Sequence, residues 1–160
     1  HVGVFDDIGD IVGFTYVQAS IDDVGGILEL IEPLEDQGVL LKRSRELLET
    51  EISLFRLLVR DGRIIACAAL YPFPDERCGE IACIVSHPDY RGGRRGQRLL
   101  KTLEQEARRQ GLDRVFVLTT QTAHWFIEQG FVETSRDELP GKKKSLYNLQ
   151  RSSKVFFKSV

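Results

Sequence analysis

Glu80-Ile-Ala-Cys-Ile-Val-Ser-His-Pro-Asp-Tyr-Arg-Gly-Gly-Arg-Arg-Gly-Gln-Arg-Leu-Leu100 decides how this chain folds. An apolar strand over 80–86 runs into a Pro-Asp-Tyr turn. A loop of glycines and arginines follows, and a helix grows out of it with Leu99, Leu100, Leu103 and Ala107 on one face. The first turn of a helix has unpaired N–H groups and a partial positive charge, which favour an anion. Gly92, Gly93 and Gly96 let the backbone approach such an anion, and Arg91, Arg94, Arg95 and Arg98 surround it with charge. The stretch therefore predicts a pyrophosphate cradle. It lacks the Gly-Lys-Ser/Thr ending of a Walker A loop, and its glycines do not have the Rossmann spacing. A plain strand–loop–helix with solvated arginines would leave the joint order of strand, turn, glycines and helix unexplained.

Upstream, Ile52–Arg60 and Arg63–Tyr71 read as strands joined by Asp61-Gly62, a two-residue hairpin signal. Pro72 and Pro74 are expected to end the second strand, and Gly79 to precede the next. Ser20-Ile-Asp-Asp23 is a capping box with Asp in place of Glu or Gln. It opens a helix with Val24, Ile27, Leu28 and Ile31 on one face, stopped at Pro33. Ser44 caps a short helix through Thr50. Residues 1–19 read as a linker or edge-strand remnant, and 20–160 as one domain. Downstream, Gly111 ends the helix, Arg114–Leu118 is a strand, Thr122–Gln129 a short helix and Phe131–Thr134 a strand start. Ser145–Lys158 is the last long strand. The order predicts a single α+β domain, a mixed and mostly antiparallel sheet flanked by helices.

A chain of 160 residues can bury a real core, and 42% hydrophobic with 29% charged residues is a globular composition. With 22 Lys+Arg against 24 Asp+Glu the formal charge is -2, which argues against a nucleic-acid binder. No apolar run approaches the roughly 20 residues a membrane helix needs. Cys67, Cys78 and Cys83 form no Cys-x-x-Cys pair, so no metal site and a reduced, cytoplasmic protein are expected. The chain starts at His1 and has no methionine, which leads to the expectation that it is a piece of something longer.

The glycine–arginine loop resembles the acetyl-CoA loop of the GNAT acetyltransferase superfamily, Arg/Gln-x-x-Gly-x-Gly/Ala after a strand. Arg91 and Gly96 match its ends, and Arg94 stands where the central glycine is usual. Further blocks narrow the resemblance: Cys78-Gly-Glu-Ile-Ala-Cys83, His87-Pro-Asp-Tyr90, Gly96-Gln-Arg-Leu-Leu100, Phe116-Val-Leu-Thr-Thr120, His124-Trp-Phe126, Gln129-Gly-Phe131 and Tyr147-Asn-Leu-Gln-Arg-Ser-Ser153. Together they resemble the C-terminal acetyltransferase domain of the bacterial N-acetylglutamate synthases, from about Ser20 onward. That resemblance implies a GNAT fold and acetyl-CoA as co-substrate. It also implies L-glutamate as acceptor at its α-amine, in the first step of arginine biosynthesis, and a preceding amino-acid-kinase-like domain.

Acetylating an amine requires removing its proton, and the resemblance places the general base at Glu80, acting through a water. A lone Glu at a strand end is ordinarily a solvated residue; the motif around this one favours the catalytic role. Backbone amides at Cys83, Ile84 and Val85 are the expected donors to the oxyanion. An acetyl-cysteine intermediate on Cys83 ranks below direct transfer, because nothing beside Cys83 in sequence lowers a thiol pKa. Ile127 stands where many superfamily members carry a thiolate-protonating tyrosine. The resemblance makes Thr119 the candidate to hydrogen-bond the sulfur, with a strand residue's satisfied hydroxyl as the equal alternative. It assigns cofactor binding to Cys83, Ile84, Val85, Arg91, Gly92, Gly93, Arg94, Arg95, Gly96 and Gln97. It brings Arg43, Lys143, Arg151 and Ser153 toward the glutamate carboxylates, with guanidinium suited to bidentate grip. A non-catalytic acetyl-CoA sensor and an acetyltransferase for glutamine or another amino acid remain the alternatives.

Overall fold

The computed structural model describes residues 13–90, 94–141 and 153–160. Its strands are β1 (Phe14–Gln18), β2 (Phe55–Arg60), β3 (Arg63–Phe73), β4 (Cys78–Ser86), β5 (Arg114–Thr119), β6 (Val132–Thr134) and β7 (Lys154–Ser159). Its helices are α1 (Val24–Asp36), α2 (Arg45–Glu51), α3 (Arg95–Arg109) and α4 (Ala123–Glu128). The strands hydrogen-bond in the order β1-β2-β3-β4-β5-β7-β6. The pairs β1–β2, β2–β3, β5–β7 and β6–β7 are antiparallel, and β4–β5 is parallel, so the sheet is mixed and mostly antiparallel as expected.

By internal contacts the chain divides into two compact units, His1–Ala69 with Cys83–Leu103 and Leu70–Ala82 with Glu104–Val160. In the first unit the hairpin turn is Asp61-Gly62, with φ of 52° and 75°, the double left-handed turn that matches strand twist. Ser20 N–H donates to the Asp23 carboxylate at 2.7 Å, and the chain passes through a 3₁₀ turn into α1. The Ser44 hydroxyl accepts from Leu47 N–H at 3.0 Å and starts α2. Val24, Ile27 and Ile31 of α1 and Leu48 of α2 are fully buried, as are Phe55, Leu57 and Leu58 of β2 and Leu99 and Leu103 of α3. Leu30, not Leu28, completes the buried face of α1.

Three boundaries differ from expectation. Helix α1 runs through Pro33 to Asp36. A proline removes only its own N–H, and the helix recovers one turn later with Gln37 N–H on the Pro33 carbonyl and Gly38 closing at φ +77°. Strand β3 runs through Pro72 to Phe73, beyond the end of its ladder to β2 at Ala69, so Pro72 takes no N–H from that ladder. Ile52–Leu54 is a 3₁₀ turn, and β2 starts only at Phe55.

In the second unit β4 meets β5 at Cys78–Arg114, Gly79–Val115 and Glu80–Phe116. A parallel pair needs a crossover connection, and α3 lies in it, closed by Gly111 at φ +81°. Cys78, Phe116, Leu139, Val155 and Phe157 form the core here, with Phe73 and Leu118 packed on it. Gly79 is required by space: a Cβ there would meet Leu70 Cδ1 at 2.9 Å and Leu112 Cδ1 at 3.0 Å.

Candidate active site on strand β4

Strand β4 changes character along its length. Cys78, Gly79, Glu80 and Ile81 are all buried, Glu80 at only 7% exposure. A carboxylate taken that far out of water is costly unless it is partnered, so its place on a strand beside Phe116 is a choice that apolar packing alone would not make. The β4–β5 ladder stops at Glu80–Phe116. From Ala82 to Ser86 residues alternate between half-buried and buried.

Cys83 interrupts the strand with φ +57°. A non-glycine residue in the left-handed region costs about 1–2 kcal/mol and persists only where the surroundings impose it. A left-handed residue inside a strand locally interrupts its regular ladder. The Cys83 carbonyl accepts from the Cys67 thiol at 3.4 Å. Burial pushes the Cys67 thiol well above its ordinary range, Cys83 adds to this, and the Arg43 charge and a Val85 backbone hydrogen bond oppose it. Burial likewise raises Cys78. Both thiols are neutral, inert packing groups at neutral pH.

Arg43, half-buried in the connection between α1 and α2, is thus close enough for its charge to be felt at Cys67 on β3. Its N–H donates to Glu35 Oε2 at 2.8 Å, and its Nη1 reaches the Leu41 carbonyl at 3.4 Å. In the first unit, then, one predicted substrate cation is brought toward the strand that carries Cys83 and Val85.

The turn after β4 is tightly bonded. His87 N–H donates to the Ile65 carbonyl at 2.7 Å, Tyr90 N–H to the His87 carbonyl at 2.9 Å, and Asp89 N–H to His87 Nδ1 at 3.1 Å. Arg63 Nη2 meets His87 Nε2 at 2.8 Å, so the imidazole is held between β3 and the turn. The Arg94 carbonyl accepts from Arg98 N–H and so begins the helical bonding of α3, in whose first turn Arg95, Gly96 and Gln97 are half-buried. Arg91, Gly92 and Gly93 lie outside the described residues, as do Lys143 and Arg151.

Thr119 ends β5 at 9% exposure. Its hydroxyl accepts from Thr122 N–H at 3.0 Å and Gln121 N–H at 3.3 Å and pairs with the Thr122 hydroxyl at 2.7 Å. With both lone pairs accepting, one hydrogen remains for Thr122 or for a ligand. Ser153, half-buried, directly precedes β7. No cluster of three or more metal-ligating side chains exists among the described residues. No described helix is long and apolar enough to cross a membrane.

Sequence reasoning passed over Phe14 and Thr122. Phe14 lies in the segment read as a linker or edge-strand remnant, and its pairing with the turn at Tyr90 is non-local, with ring centroids 6.1 Å apart. Thr122 carried a signal, since a hydroxyl three residues after Thr119 at a strand-to-helix junction is a turn-capping pattern.

Residues 21–131 match the model of the acetyltransferase (GNAT) family. A protein named amino-acid acetyltransferase from Photobacterium profundum is 58% identical over 142 residues, 89% of this chain and 32% of that protein. The solved structure of N-acetylglutamate synthase from Neisseria gonorrhoeae complexed with coenzyme A and N-acetyl-glutamate superposes with a TM-score of 0.89 at 43% identity, covering 91% of this chain and 35% of that one. The same synthase complexed with coenzyme A and L-arginine gives a TM-score of 0.83 at 41% identity, over 92% of this chain and 33% of that one. The chain thus spans about a third of the length of the relatives it matches.

Proposed function

This chain belongs to the acetyltransferase (GNAT) family, and from that premise we propose that it transfers the acetyl group of acetyl-CoA to the α-amine of L-glutamate. The observation that carries the reading is the left-handed Cys83 inside β4, following a buried Glu80 and preceding the turn into α3. A strand built only for stability has no use for that strain. A strand that must aim amides at a developing oxyanion does.

In the proposed reaction Glu80 takes a proton from the α-ammonium through a water, freeing the nitrogen lone pair. The nitrogen attacks the thioester carbon, a C–N bond forms, and the carbonyl electron pair moves onto oxygen. Backbone amides of the Cys83–Val85 stretch that Cys67 does not engage donate to that oxygen while it is charged. When the oxygen pair returns, the C–S bond breaks and the CoA thiolate leaves. The nitrogen loses two protons in all, one through Glu80 to solvent and one ending on the CoA thiol. A thiol with a pKa of about 8.5 leaves readily, which is why Ile127 can stand in place of a protonating tyrosine. The remaining Thr119 hydrogen supplies what help the sulfur needs.

The first turn of α3, with Gly96 and Gln97, and the preceding Arg91–Arg94 loop would hold the CoA pyrophosphate. Arg43, Lys143, Arg151 and Ser153 would hold the two glutamate carboxylates; the Arg43 charge felt at Cys67 supports its part of that set. The gonococcal complexes, one of them with N-acetyl-glutamate, support the acceptor and the coenzyme. Relatives three times longer support the further reading that an amino-acid-kinase-like domain accompanies this one in the whole protein, which would then serve arginine biosynthesis.

The test is thiol release from acetyl-CoA by the purified chain with a panel of amino acids near pH 8.5. Release that depends on glutamate, and falls at least about tenfold with glutamine or aspartate, is the expected result. Acetyl-CoA binding with no release for any amino acid would replace the transferase with a sensor.

A further inference from the structure

We propose that Phe14, on edge strand β1, and Tyr90 form an aromatic clasp on the Arg95 guanidinium, and that this clasp, without touching the ligand, sets the affinity for coenzyme A. The inference rests on the transferase reading of the β4–α3 junction. Arg95 is the first residue of α3, and Tyr90 is the last residue of the turn that ends β4. The Arg95 guanidinium carbon lies 5.4 Å from the Phe14 ring centroid and 5.8 Å from that of Tyr90. Its Nε donates to the Tyr90 carbonyl at 3.2 Å. Phe14 and Tyr90 meet edge to face at 6.1 Å, and Tyr90 and His87 at 5.9 Å. A second guanidinium, that of Arg60, lies 5.0 Å from the Phe14 centroid.

These contacts staple both ends of the glycine–arginine loop to one ring. Phe14 is the one buried residue of β1, at 7% exposure; the other four are half-buried or exposed. The strand therefore contributes little to the core except this ring. Two guanidinium carbons lie within 5.4 Å of the Phe14 centroid, and the ring quadrupole attracts each of them in addition to the apolar burial. With its Nε donating to the Tyr90 carbonyl and its guanidinium carbon near two rings, Arg95 is placed to act as a positioning residue. Fixing the loop ends beforehand lowers the ordering cost when an anion settles on the first amides of α3.

The test measures the Kd for CoA by calorimetry, with KM for acetyl-CoA, kcat and thermal midpoint, for the wild-type chain, Phe14→Leu, Phe14→Tyr, Arg95→Ala and the double variant Phe14→Leu/Arg95→Ala. Leu keeps the apolar volume and loses the ring. Phe14→Leu is expected to weaken CoA about tenfold, with the loss larger in KM than in kcat, and Phe14→Tyr to restore affinity to within about twofold. The double variant should bind no more weakly than Arg95→Ala alone, because both changes remove one device. Wild-type affinity in Phe14→Leu, or losses that simply add, would overturn the clasp and return Arg95 to direct phosphate contact. Wild-type chain that binds no CoA would overturn the transferase reading itself, a result separable from failure of the clasp.

Discussion

Glu80 and Cys83 occupy one strand for opposite physical reasons: one is a carboxyl side chain in a buried place, the other a strained backbone under a small apolar side chain. Glu80→Gln keeps the shape and removes the base, so kcat should fall by about 10²–10⁴ with CoA affinity unchanged. An unchanged kcat across a pH series would remove Glu80 from the chemistry. Thr119→Val deletes the acceptor of two N–H groups and should destabilise the start of α4 by about 1–2 kcal/mol in urea unfolding. If kcat drops as well at a temperature where the variant is folded, the hydroxyl also serves the sulfur; stability loss alone would leave it a turn residue. The strand positions of Glu80 and Thr119 were legible from the motifs around them. The left-handed angle at Cys83 was not, since no local pattern in Ile-Ala-Cys-Ile-Val announces φ +57°, and Cys is not a residue that favours it.

Among the elements, α3 was the most legible. Its Leu99, Leu100, Leu103 and Ala107 recur at helical spacing and are all buried, between a loop and a C-terminal glycine that read as boundaries. What the periodicity hid is Glu104, on the same helix and 7% exposed, with both carboxylate oxygens 3.0 Å from Lys158 Nζ of β7. Lys158 also lies 5.8 Å from the Phe131 ring centroid. A charge on a buried helix face looks like a break in pattern until its partner, far away in sequence, is known. Glu104→Ala strands a partly buried ammonium and should cost about 3 kcal/mol in denaturant unfolding. The pair replacement Glu104→Leu with Lys158→Met should cost less than that single change; an equal or larger cost would mean the ion pair itself, not its desolvation balance, holds α3 to β7. The boundaries at Pro33 and Pro72 were misread because a proline is a breaker only where its missing N–H is needed.

For the molecule as a whole, the fold class followed from the order of elements, and the family from the blocks spread between Cys78 and Ser153. Tertiary placement stayed hidden: which thiols lie deep, and that a ring in the opening segment reaches the turn after β4. The three described cysteines are all buried, and burial raises Cys67 and Cys78 above the ordinary thiol value of 9.0. Below that value both folded and unfolded chains hold these protons, and the thiols impose no pH dependence. Above it the unfolded chain releases them while the folded chain retains them, so stability falls as pH rises. The slope should approach about 1.4 kcal/mol per pH unit from Cys67, whose thiol is held well above the ordinary value, with a smaller part from Cys78. Urea midpoints measured from about pH 8 to 10.5 should decline, and Cys67→Ala should flatten the decline; the same slope in that variant would place its origin elsewhere.

Direct acetyl transfer to the glutamate amine, as proposed for β4, fixes a product stoichiometry. The chain is incubated with acetyl-CoA and ¹⁵N-glutamate, and free thiol, acetylated ¹⁵N-glutamate and acetylated protein are quantified by mass spectrometry. Direct transfer gives one N-acetylglutamate for each thiol released and no acetyl group on Cys83 at any time. Thiol released without acetylglutamate, or an acetyl-cysteine that forms and decays at the rate of turnover, rules direct transfer out.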